Sequence, residues 1–84
     1  KEGEYKMRIL SILNESEEAM TIDEIKSQDM ILQPLTSQKM ARLIGNLIEM
    51  GLVRKGKSKS LGRMVYKAVA VMISQGYDVN EEEE

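Results

Sequence analysis

Eighty-four residues leave room for one domain with a thin core. The chain has neither cysteine nor histidine, which excludes disulfides and thiolate metal sites and removes the commonest general base and transition-metal ligand. Its net charge of −2 conceals a division: residues 1–35 carry four bases against eight acids, residues 36–67 eight bases against Glu49 alone, and residues 68–84 five acids and no base. A partner meets a local face and not an average, so a polyanion is drawn to the middle segment, whose net charge is +7.

The first element runs from Glu4 to Asn14, where Tyr5, Ile9, Ile12 and Leu13 recur at helical spacing and Leu10 widens the stripe. Ala19-Met20-Thr21 reads as a brief extended piece. Thr21 then caps a short second helix: Glu24 stands three residues on, in the capping-box position, and the helix ends near Gln28 or Asp29. Met30–Leu35 is an apolar loop with the single proline, Pro34, which biases its predecessor away from helix. Thr36 or Ser37 caps a third helix reaching Met50, with Met40, Leu43, Ile44, Leu47 and Ile48 as its inward stripe, and Gly51 is placed for a left-handed C-terminal turn. Leu52–Lys55 reads as a strand, Gly56–Gly62 as a flexible basic loop and Arg63 to Val69 as a returning strand. Residues 70–78 are open between strand and short helix. Residues 79–84, ending in four glutamates, read as an acidic disordered tail outside a domain of residues 1–78.

The expected core is Ile9, Ile12, Leu13, Ile22, Ile25, Met40, Ile44, Leu47, Leu52 and Val65, each on the apolar stripe of its element. The seven methionines fill core space or its margin in a chain without Phe or Trp. Tyr5 is expected to be packed, and Tyr66 and Tyr77 to be open.

The order helix, short strand, helix, helix, strand, basic loop, strand resembles the winged helix-turn-helix superfamily. The residues that carry the likeness run from Leu35-Thr36-Ser37-Gln38 through Lys39-Met40-Ala41-Arg42-Leu43-Ile44 to Ile48-Glu49-Met50-Gly51-Leu52-Val53-Arg54. They look like the recognition helix and first wing strand of bacterial repressors of the antibiotic-resistance-regulator type. The resemblance implies an α+β fold, a three-helix core with a two- to three-stranded β-wing. Two departures stand out: the Gln28–Leu35 connection is longer than the usual tight turn, and the flanking dimerisation helices of that class have no counterpart here.

The third helix offers Ser37, Gln38, Lys39, Arg42 and Asn46 on its polar side, and a helix in the major groove presents Arg and Lys to guanine edges and Gln and Asn to adenine edges. A merely solvated helix face competes with that reading; the scarcity of acids, with Glu49 alone at the far end, favours contact. Arg54, Lys55, Lys57, Lys59 and Arg63 on the strand-loop-strand segment suit phosphates, which flexible cations meet as charge and not as sequence. Lysines guarding an edge strand are the bland alternative. Three tyrosines are too little aromatic surface for a base-stacking platform.

Catalysis finds no foothold. The serines lack a histidine base, Asp23 and Glu24 suit the start of a helix, Glu81–Glu84 match no calcium loop, and no glycine-rich phosphate loop is present. The expectation is a non-enzymatic regulator that binds double-stranded DNA without metal or cofactor, with a homodimer or another protein as further partner. A winged helix serving as a protein–protein module is the alternative. No apolar run nears the roughly 20 residues that span a bilayer, and no apolar segment follows Lys1-Glu2-Gly3-Glu4 as in a secretory signal. The expected place is therefore the cytoplasm, on the nucleoid in a bacterium.

Overall fold

In the computed structural model, residues 1–69 are described. Three helices, α1 (Glu2–Glu15), α2 (Ile22–Ser27) and α3 (Ser37–Glu49), precede two strands, β1 (Val53–Lys57) and β2 (Met64–Ala68), in an α+β arrangement. None of these helices is long and apolar enough to cross a membrane.

Local chemistry sets most of the boundaries. The Thr21 side chain accepts from the Glu24 N–H at 3.1 Å while the Glu24 carboxylate accepts from the Thr21 N–H at 2.9 Å, a reciprocal cap that starts α2. Thr36 Oγ1 accepts from the Lys39 N–H at 3.0 Å and starts α3. Gly51, at φ 81°, takes the left-handed turn that ends it, and the Leu52 N–H returns to the Leu47 carbonyl at 3.0 Å.

The strands pair antiparallel, with Val53 opposite Ala68, Lys55 opposite Tyr66 and Lys57 opposite Met64. A third chain segment touches this sheet at one point: Met20 and Tyr66 exchange both backbone hydrogen bonds, at 2.9 and 2.8 Å. The extended piece expected at Ala19–Thr21 is this bridge. The loop expected over Gly56–Gly62 is shorter, because Gly56 and Lys57 belong to β1. It is also tied, with Ser58 N–H on Arg63 O and Gly62 N–H on Ser58 O.

The buried core comprises Ile9, Leu13, Ile25, Leu32, Met40, Leu43, Ile44, Leu47, Val53 and Tyr66. Ile12, Ile22 and Leu52 pack at its margin instead of inside. The expected phase of the strands is off by one residue: Val53 and Tyr66 face inward where Leu52 and Val65 were expected. Each strand carries adjacent apolar residues, so alternation alone leaves the facing undecided. The Gly51 turn fixes it for β1 and the Met20 bridge for β2, which also buries the tyrosine expected to be open. Tyr5 packs against the core as expected.

Leu32 is a further unexpected member, the one that comes from the connection between α2 and α3. Asp29 organises that connection. Its carbonyl accepts from the N–H groups of Leu32 and Gln33, and its Oδ1 accepts from Ile31 N–H at 2.7 Å, a side-chain turn of the kind Asp favours. Arg8 of α1 holds the other carboxylate oxygen at 2.9 Å. The methionines divide: Met40 is buried and Met20 marginal, whereas Met7, Met30, Met50 and Met64 are exposed, Met7 off the inward stripe of α1, Met30 and Met50 outside the helices, and Met64 at the outer end of β2. The expectations for residues 70–84, including Met72, Tyr77 and the acidic tail, lie outside the described residues.

Candidate nucleic-acid interface

The start of α3 anchors the site. With Met40, Leu43, Ile44 and Leu47 turned inward, helical periodicity puts Gln38, Arg42, Gly45 and Glu49 along the outermost line. Gly45 leaves that line bare, for nothing lies within 4 Å of where its Cβ would stand. Of the side chains on that line, the hydrogen-bond donors Gln38 and Arg42 are thus concentrated in the first half, while Glu49 places a negative charge at the far end. Lys39 and Asn46 lie on one flank, half-buried, and Ser37 lies on the other.

Ser37 meets the hairpin. A cleft of about 260 Å³ runs between the starts of α2 and α3 and the foot of β2, with Thr21, Asp23, Ser37, Arg63, Met64 and Tyr66 among its lining. Directly opposed residues of an antiparallel pair share a sheet face, so Lys55, opposite Tyr66, and Lys57, opposite Met64, lie on the cleft side. Arg54, opposite Lys67, lies on the other face. Lys59 stands in the turn beyond Lys57. That turn is held by Ser58, whose Oγ accepts from the Leu61 N–H at 3.2 Å, and by Gly62 at φ 66°.

The ten residues singled out from the sequence therefore do not form one face. Ser37, Lys55, Lys57 and Arg63 gather on the cleft side, Lys59 stands in the turn beyond them, Gln38 and Arg42 stand on the outer line of α3, Lys39 and Asn46 flank it, and Arg54 is turned away. Nor are the cations equivalent. Arg42 and Lys39 both reach Oε2 of Glu2 in α1, Lys39 at 3.5 Å. Arg63 reaches Asp23 at 3.6 Å. Lys67 donates to the carbonyls of Ser16 and Glu17, at 3.3 and 2.8 Å, where α1 has just ended and carbonyls lack helical partners. Among the described residues Arg54, Lys55, Lys57 and Lys59 make no ion pair.

The acids of the site, Glu2 and Asp23, are the residues that sequence reasoning missed. The signal available was the acidic excess of residues 1–35, which does not say which acid meets which cation. The Arg42 hydrogen bond, outweighing the cost of partial burial and aided by the charges of Arg42 and Lys39, holds the Glu2 carboxyl below its ordinary range. The same bond raises the Arg42 guanidinium.

A second surface lies beside the other end of α3. Met7, Leu10, Leu47, Met50 and Leu52 line an apolar groove of about 330 Å³, with Met7 71% and Met50 60% exposed. No protein-family model, curated protein or solved structure matches this chain.

Proposed function

We propose that this chain is a winged helix domain that binds double-stranded DNA as a regulator, with the first half of α3 in the major groove and the β1–β2 hairpin as a wing on the phosphate backbone. The observation that carries the reading is the meeting of Ser37 with Arg63 in one cleft, with Lys55 and Lys57 on the same sheet face. A helix start rich in polar hydrogen-bonding groups thereby adjoins a basic hairpin, the pairing of base-edge and backbone chemistry that duplex recognition needs. Gln38 supplies a base-edge group on the outer line, and Arg42 on the same line adds a cation for the duplex. Gly45 lets the helix backbone approach a groove wall closely.

Titration of the chain with a labelled duplex over a range of salt tests the proposal. Contact with about four to six phosphates gives a slope of log affinity against log salt of roughly −4 to −5. No binding at low salt overturns it.

The apolar groove favours a second reading, a winged helix that serves as a protein–protein module. Exposed methionines beside Leu10 and Leu52 form an adaptable surface of the sort that accepts an apolar partner. Binding that persists after the duplex titration fails, and that is lost on Met50→Asp, supports this reading over the first.

A further inference from the structure

We propose that the junction of Glu2 with Lys39 and Arg42 is a seat for one phosphate of the DNA backbone, held in the free protein by the carboxylate of Glu2. This inference rests on the duplex-binding reading above. A carboxylate and a phosphate present the same chemistry to a guanidinium and an ammonium: paired, hydrogen-bond-accepting, negatively charged oxygens. Here a single oxygen, Oε2 of Glu2, takes both cations. The contact joins residues 40 positions apart, so it is a feature of the fold and not of helix spacing. Glu4, two residues along the same helix, does not share it and pairs with Arg8 instead, at 3.3 Å.

The seat is open. The side chains of Glu2, Lys39 and Arg42 are 44%, 35% and 50% exposed, so a phosphate reaches both cations once the Glu2 side chain turns away, with no helix moving. Ion pairs this exposed hold weakly, so carboxylate and phosphate compete, and in the unaltered complex each holds the seat part of the time. Two consequences follow for the interface. Arg42 becomes a backbone contact on the α1 side of α3, leaving Gln38 as the base-edge group of the outer line. The acidic N-terminal segment becomes part of the binding device, weakening the grip on every duplex alike.

Glu2→Gln and Glu4→Gln raise the net charge by the same amount, but only the first empties the seat. Both are compared with the unaltered chain by titrating a labelled random-sequence duplex across salt. E2Q binds more tightly, and with phosphate holding the seat in every complex instead of in some its salt slope steepens, by at most about one. Its advantage over the unaltered chain is then up to about threefold greater near 50 mM than near 200 mM salt. E4Q lacks this steepening, and adding Arg42→Gln to E2Q removes it. An E2Q chain that matches either E4Q or the unaltered chain, or that binds more weakly than the latter, overturns the phosphate seat while duplex binding stands. Failure of the unaltered chain and of E2Q alike to bind overturns the duplex reading and the seat with it.

Discussion

The connection from Gln28 to Thr36 and the turn from Ser58 to Arg63 are built by the same local device. In each, one short polar side chain accepts a backbone N–H: Asp29 from Ile31, Ser58 from Leu61. Their contents differ. The first folds an apolar side chain, Leu32, into the core and ties itself to α1 through Arg8. The second buries no hydrophobic residue and carries Lys59 and Arg63 into solvent next to Lys57. A longer connection between the second and third helices is thus a core-building element, whereas the hairpin turn is free to serve a ligand. The two regions should separate cleanly when stability and binding are measured on the same variants.

The largest effect is expected at Leu32. Truncation to Ala removes a fully buried side chain and leaves a cavity, at about 2–5 kcal/mol. For a domain of this size that lowers the melting temperature by at least about 8 °C. The salt slope of duplex binding, measured where the variant is still folded, stays as it was. A melting temperature within a degree or two of the parent would show that the connection does not hold the core.

The double change Lys57→Ala and Lys59→Ala reverses the pattern. Neither lysine pairs with an acid among the described residues, and surface substitutions away from caps and cores usually alter stability by less than about 0.5 kcal/mol. Binding should weaken on all duplexes alike, and the salt slope should flatten by about two, one phosphate for each lysine. A changed preference among sequences would assign the hairpin, and not α3, to the base edges. Gln38→Ala is the counterpart on the outer line: it should alter preference among sequences by about 1–3 kcal/mol with the slope unchanged.

What could be read from the sequence divides along the same physical line. Thr21 with Glu24, Thr36 and Gly51 are short-range signals, complete within a few residues, and the helix boundaries they mark appear in the fold. The burial of Leu32 depends on Arg8 meeting Asp29 across 21 positions, and the facing of Tyr66 on Met20 across 46, so neither is written in any window of local periodicity. The basic segment was legible as charge. Its division into cations paired with acids, Lys39, Arg42 and Arg63, and the unpaired ones of β1 and its turn was not, because Glu2 and Asp23 reach it only through the tertiary fold.

The smallest effect tests the tie between the first region and α1. Burial opposes ionisation of Asp29, but the hydrogen bond from Arg8, the backbone N–H groups of Ile31 and Leu32, and the charge of Arg8 together hold its carboxyl below the ordinary aspartate value. A carboxyl depressed in the folded state adds stability that is complete above its unfolded pKa and is lost as pH falls through the folded one. Asp29→Asn keeps an oxygen for the Ile31 N–H but ends both the titration and the ion pair with Arg8. At neutral pH the variant should therefore melt slightly below the parent. On acidification the parent should lose stability faster, and the two melting curves should converge below the ordinary aspartate range. Some acid sensitivity should persist in the variant, because Glu2 is also held below its ordinary value, by Arg42. Adding Glu2→Gln to Asp29→Asn should flatten the acid limb further, since the two pairs sit on different residues of α1 and share no partner. Parallel curves for the parent and the Asp29→Asn chain from neutral to acid pH would mean that the carboxylate contributes only as a hydrogen-bond acceptor and that Arg8 does not anchor the connection by charge.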